Sequence, residues 1–154
     1  MERILVFSDT HGDIDNAIKV FDAIIGVTAV IHLGDCVRDA QRLENCIYPV
    51  PIYFVSGNND FCSPYPREQI IEISDKRLFL CHGHSHRLDD LKEIAFENDI
   101  QVVLFGHTHI PYYEKENGVI YANPGSISRP RLKDRCYGVI EIDGEHIGYS
   151  NIFI

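Results

Sequence analysis

Five times along this chain a short apolar run stops abruptly at a small set of polar residues. Arg3-Ile4-Leu5-Val6-Phe7 empties into Ser8-Asp9-Thr10-His11-Gly12-Asp13, and Ala29-Val30-Ile31-His32-Leu33 into Gly34-Asp35. Ile52-Tyr53-Phe54-Val55 leads to Ser56-Gly57-Asn58-Asn59-Asp60, and Arg77-Leu78-Phe79-Leu80-Cys81 to His82-Gly83-His84. Val102-Val103-Leu104-Phe105 ends at Gly106-His107-Thr108-His109, where the glycine is expected to let the backbone turn sharply. Runs rich in β-branched and aromatic residues, without polar alternation, predict strands covered on both faces. Their polar ends would then collect beyond the carboxyl edge of an open α/β sheet, where such sheets build sites.

The segments between these runs fill in the architecture. Ile14, Ala17, Ile18, Phe21, Ile24 and Ile25 step at three and four, predicting a helix capped by Asp13 and ended by Gly26. A short helix is expected from Asp39 to Asn45, and another around Leu88, Leu91, Ile94 and Ala95. Gln69–Ile73 and Arg77–Cys81 lie a short turn apart, as in a hairpin. Pro111–Lys115 and Val119–Ala122 flank Asn117-Gly118, and Asp143-Gly144 joins Cys136–Ile142 to Glu145–Tyr149. So many strands imply two packed sheets with helices outside, in a single domain spanning residues 1–154.

A net charge of -9 leaves no basic stripe for a phosphate backbone, which argues against nucleic acid and against an anionic membrane surface as partners. A cleft holding dications would reverse that sign locally, so a small phosphate substrate stays open. The five cysteines form no Cys-x-x-Cys pair and are expected to be reduced, small buried hydrophobes in a cytoplasmic protein without a secretory leader.

Together the strand ends offer Asp9, His11, Asp35, Asn58, His82, His107 and His109. These oxygen and nitrogen donors suit Mn, Fe, Zn, Ni or Co better than a closed structural zinc site. They are too many for one ion and enough for two, if a carboxylate is shared.

Asp9-x-His11, Gly34-Asp35, Gly57-Asn58, His82-Gly83-His84 and Gly106-His107-Thr108-His109 resemble the ordered motifs of the calcineurin-like metallophosphoesterases. The likeness is narrower still to the small bacterial and archaeal phosphodiesterase-like members, through Asn123-Pro124-Gly125-Ser126 and Arg129-Pro130-Arg131. The resemblance implies a four-layer αββα sandwich and a first metal held by Asp9, His11, Asp35 and His109. A second would take Asp35, Asn58, His82 and His107, with Asp35 bridging. It also implies two divalent ions per chain, Mn2+ foremost with Ni2+, Co2+, Zn2+, Fe2+ or Mg2+ as alternatives. The reaction implied is in-line attack by a metal-bound hydroxide on a small phosphate ester, a diester before a monoester or pyrophosphate. Homodimerisation is a family expectation, and a scaffold protein that kept the fold without the reaction is the rival from another class.

One position departs from the family pattern. Asn59 stands where many members carry a phosphate-side histidine, and an amide has no proton to donate near neutral pH. His84 is the candidate to compensate, so Asn59 and His84 join Asp35, Asn58 and His82 as expected catalytic positions. Asp60 is expected to orient the Asn58 loop or a ligand histidine. His32 is expected to pack in the core or support a ligand from behind, His86 to begin a helix, and His146 to sit in the last hairpin. Arg129 and Arg131 are open between phosphate contact and solvation. Tyr112, Tyr113 and Tyr121 are assigned to sheet packing, the first two also near the site mouth.

Overall fold

The alternation of side chains along a strand decides how the first segment is buried. In a computed structural model describing residues 1–131 and 134–154, Ile4 and Val6 face one way and Leu5 and Phe7 the other, and all four are fully buried. Each face therefore has its own cover, which is why no polar residue interrupts the run.

The elements in chain order are β1 (Glu2–Phe7), α1 (Asp15–Ala23), β2 (Ala29–His32), α2 (Val37–Ile47), β3 (Ile52–Phe54), β4 (Glu68–Ile73), β5 (Lys76–Cys81), α3 (Leu88–Asn98), β6 (Val102–Leu104), β7 (Pro111–Glu116), β8 (Val119–Pro124), β9 (Cys136–Asp143) and β10 (His146–Phe153). They form two five-stranded sheets, ordered β10-β9-β1-β2-β3 and β4-β5-β6-β8-β7. Parallel pairs occupy the middle of each sheet, β1 with β2 with β3 and β5 with β6 with β8. Antiparallel hairpins finish three of the four edges, and β3, paired parallel with β2, forms the fourth.

Three apolar layers hold the sandwich. Ile4, Val6, Ile31 and Leu33 meet Leu78, Leu80, Val102 and Leu104 between the sheets. Leu5, Phe7 and Val30 meet Ala17 and Val20 of α1 and Leu43 and Ile47 of α2 on one outer face. Phe79, Val103 and Tyr121 meet Leu91 and Ala95 of α3 on the other. The expected αββα arrangement is present. Asn117 and Gly118 both carry positive φ, as the tight β7–β8 turn requires.

Several local expectations failed. The N-cap of α1 is Ile14, not Asp13, and it makes no side-chain cap bond. Helix α2 is longer than Asp39–Asn45 because its first N–H groups find a cap far along the chain, described below. Ile25 lies past the end of α1 and is exposed, so the apolar stripe stops at Ile24. Cys46 and Cys62 are exposed rather than buried, since one lies on the outer side of α2 and the other in the loop after β3. His86 precedes α3 instead of starting it, and its ring bonds Glu68 at 2.7 Å.

Candidate metal centre

The loops after β1, β2 and β3 in one sheet meet those after β5 and β6 in the other, and glycines allow the meeting. A Cβ on Gly34 would lie 2.6 Å from the Gly57 nitrogen. One on Gly57 would strike Asp35 Oδ1, and one on Gly106 would strike Ser8 Oγ. Gly106 lacks the positive φ expected of a sharp turn, so its role is this close backbone approach. The donors themselves carry the unusual backbone: Asp9, His11, Asp35, His107 and His109 have φ between 49 and 72°. Non-glycine residues seldom adopt this region, and such conformations gather where the surroundings hold a functional geometry.

Asp9 is fully buried. Its Oδ2 accepts from Ser8 Oγ at 2.6 Å and from the His107 N–H at 3.1 Å, whereas Oδ1 has no partner among the described residues. Around that oxygen stand His109 Nε2 at 3.1 Å and the Nε2 atoms of His11 and His82, each at 3.8 Å. Asp35 turns one oxygen to each side, Oδ2 to His11 Nε2 at 3.8 Å and Oδ1 to His82 Nε2 at 3.4 Å. His11 and His109 approach through Nε2 at 3.2 Å. Asn58 Oδ1 lies 3.1 Å from His107 Nδ1 at the outer end.

These spacings fit an ion. Bonds of about 2.1 Å separate neighbouring donors by about 3.0 Å in an octahedron and about 3.4 Å in a tetrahedron. Asp9, His11 and His109 form one group that could hold a cation, and Asp9, Asp35 and His82 another. The orphaned Asp9 Oδ1 and His82 Nε2 are both fully buried, a costly arrangement unless a cation lies between such groups.

The imidazoles are aimed from behind. His82 Nδ1–H donates to the Leu33 carbonyl at 2.7 Å and His109 Nδ1–H to the Arg129 carbonyl at 2.6 Å, so each leaves Nε2 as a lone pair. His32 does not reach the centre. Its Nδ1 accepts from the Gly34 N–H at 3.2 Å, so its Nε2–H donates to Thr10 Oγ1 at 2.9 Å, tying together the loops that carry Asp9 and Asp35.

Asp60 is the other organiser. Its Oδ2 accepts from the N–H groups of Asp35 at 3.0 Å and Gly57 at 2.7 Å. Its Oδ1 accepts from Cys36 and Val37, both at 2.8 Å, capping α2. Asp39, read from sequence only as a helix residue, is buried and accepts from the Gly12 N–H at 2.7 Å. Ser126 was not singled out in the sequence. Its Oγ donates to the Asp9 carbonyl and accepts from the Arg129 N–H, supporting both Asp9 and the carbonyl behind His109. Its place in the Asn123-Pro124-Gly125-Ser126 segment was the signal that could have pointed to it.

Charge and burial pull against each other here. Burial alone would raise the Asp35 pKa, but His82 and the Asn59 bonds hold it well below the usual carboxylate range. Burial would lower His82, and the Asp35 and Asp9 carboxylates reverse that and lift it. His107 and His84 are both lowered, first by burial and then by His82. Asn59 donates to Asp35 through its N–H at 3.1 Å and its amide at 2.8 Å, so it acts as a holder of Asp35. The His84 ring lies 5.5 Å from His82 and 6.1 Å from His107, with a buried Nδ1 that has no partner among the described residues. Arg129 lines the cleft beside His11, and Arg131 does not.

A calcineurin-like phosphoesterase superfamily domain matches residues 2–145. The chain belongs to that superfamily. It is 33% identical over 152 residues to a probable metallophosphoesterase of Methanothermobacter thermautotrophicus, covering 92% of this chain and 87% of that one. It is 28% identical over 170 residues to the phosphodiesterase YfcE of Escherichia coli, covering 93% and 89%. The crystal structure of a predicted phosphoesterase from Streptococcus pneumoniae superposes with a TM-score of 0.83 at 32% identity, covering 99% of this chain and 89% of that one. The phosphoesterase family is metal-dependent, and its sandwich fold is the one described above. Among the described residues no helix is long and apolar enough to cross a membrane.

Proposed function

We propose that this calcineurin-like phosphoesterase is a dinuclear metal-dependent phosphodiesterase acting on small phosphate esters. The observation that carries the reading is the pair of buried, unpartnered donors, Asp9 Oδ1 and His82 Nε2, with Asp35 turning an oxygen toward the histidines on either side. Asp9, His11, Asp35 and His109 would hold one ion and Asp35, Asn58, His82 and His107 the other, with manganese foremost on the family resemblance; the mixed imidazole and carboxylate set also suits Fe, Co, Ni or Zn. When bound, such ions lower the pKa of water and neutralise charge gathering on phosphoryl oxygens.

The chain's own groups prepare that chemistry. Leu33 and Arg129 carbonyls fix the rings of His82 and His109, so the donors need not reorganise when charge develops. Asn59 holds both Asp35 oxygens in place. It leaves no acid on that side, so esters with good leaving groups are favoured. His84, beside His82 and His107, presents a third imidazole to the phosphoryl oxygens.

One preparation tests this. Metal is stripped, Mn, Ni, Co, Zn or Mg is restored singly, and bound metal per chain is measured with hydrolysis of an activated diester and its matched monoester. Two ions per chain and faster diester turnover are expected. Faster monoester turnover overturns the substrate class. Metal binding without turnover of either ester overturns catalysis in favour of a scaffold.

A further inference from the structure

The cleft leading out of the metal centre is larger than a phosphate group needs. It encloses about 700 Å³, within the range of about 300–1,000 Å³ that takes whole organic ligands. Its lining joins His11, Asn59 and Arg129 to Arg38, Phe61 and Tyr65. The cleft is thus continuous with the donors that would hold the metal.

Two features say what fits there. The first is charge. The chain carries a net charge of -9, yet Arg38 and Arg129 stand exposed along this cleft. The one carboxylate in its lining among the described residues, Asp60, is already engaged by four backbone N–H groups. The second is Phe61, which is 83% exposed and belongs to none of the three apolar clusters. Its main chain follows Asp60 directly, so the ring stands on a clamped loop three residues from Asn58. An exposed aromatic ring lining the same cleft as two arginines is a surface for a planar anionic partner.

We propose that this cleft selects phosphate esters whose second arm carries a planar ring, with Phe61 stacking on the ring. Arg129 contacts the phosphoryl oxygens and Arg38 the outer arm. The proposal rests on the phosphoesterase reading and narrows its substrate class.

Methylphosphonate and phenylphosphonate share the anion and differ in the arm. Their affinities for metal-loaded protein are measured by calorimetry, with bound metal determined on the same samples. Phenylphosphonate is expected to bind about fivefold to tenfold more tightly. That preference should fall below twofold in Phe61→Ala, a substitution at an exposed position. Equal affinities in the parental protein, a preference surviving in Phe61→Ala, or binding of neither phosphonate overturns the proposal. A protein that prefers the phenyl arm through Phe61 but takes up no metal sinks the metal-centre reading alone. One that takes up metal and treats both arms alike sinks the cleft alone.

Discussion

Replacing Asp60 should damage the protein without touching a single metal donor. Its carboxylate accepts four N–H bonds of 2.7–3.0 Å, from Asp35, Cys36, Val37 and Gly57. A hydrogen bond to a charged group contributes about 1.5–3 kcal/mol. Four such bonds cannot be summed, because truncation admits water to the outer donors. The Asp35 and Gly57 amides lie in buried residues, and α2 loses its cap as well. A net loss of about 3–5 kcal/mol for Asp60→Ala follows, a large share of the roughly 5–15 kcal/mol that stabilises a domain. At about 2–4 °C per kcal/mol for this chain length, the midpoint should fall by about 10 °C. Asp60→Asn keeps one acceptor oxygen and turns an NH2 toward two donors, so it should recover no more than half. The assay is thermal unfolding of chelator-treated protein followed by circular dichroism, with metal affinity measured by calorimetry. Affinity should weaken about tenfold to a hundredfold, since the Asp35 and Asn58 loops lose their shared anchor. An Asp60→Ala protein that melts within 2 °C of the parent and keeps its metal affinity would refute the reasoning.

Asp35→Ala should lose most bound metal and at least about a hundredfold in diester turnover, because Asp35 faces both histidine groups; full occupancy by elemental analysis would remove it from the bridge. Burial holds the His32 pKa below its ordinary value, so beneath about pH 6.5 the unfolded chain binds more protons and stability falls as pH falls. Denaturant titrations of metal-free protein between pH 7 and 5.5 should therefore show a shallower decline in His32→Gln, by at most about 1.4 kcal/mol per pH unit; parallel profiles would contradict this. Ser126→Ala should cost about 1–3 kcal/mol in thermal unfolding and weaken metal binding about tenfold through Asp9 and His109, and unchanged values of both would show the loop to be passive.

The strands and the polar clusters that the fold brings together were legible because both signals are local. An apolar run such as Ile4–Phe7 and the polar cluster that ends it lie within a few residues of each other. What escaped was carried by partners distant in sequence. Helix α2 begins at Val37 because Asp60 supplies its cap, and the pattern from Asp39 to Asn45 holds no trace of that. Asp39 looks like any acidic residue near a helix start until the Gly12 amide is brought to it. Gly106 is expected at a turn, whereas its lack of a side chain is needed by Ser8, about two-thirds of the chain away in sequence. Cys62 and Phe61 illustrate the reverse case, in which apolar residues lie on a loop with no core to enter.

The division of the donors between the sheets has a kinetic consequence. Asp9, Asp35 and Asn58 follow strands of one sheet, and His82, His107 and His109 follow strands of the other. The bond from the His107 N–H to Asp9 spans 98 residues, and His82 reaches across to Leu33. Closing such loops is entropically costly, and the first sheet itself needs the still longer β1–β9 closure that sets Arg3 beside Glu141. The donor set is expected to assemble last, when the two sheets dock. Substitutions at this seam should quicken unfolding in stopped-flow experiments and leave the refolding rate nearly unchanged.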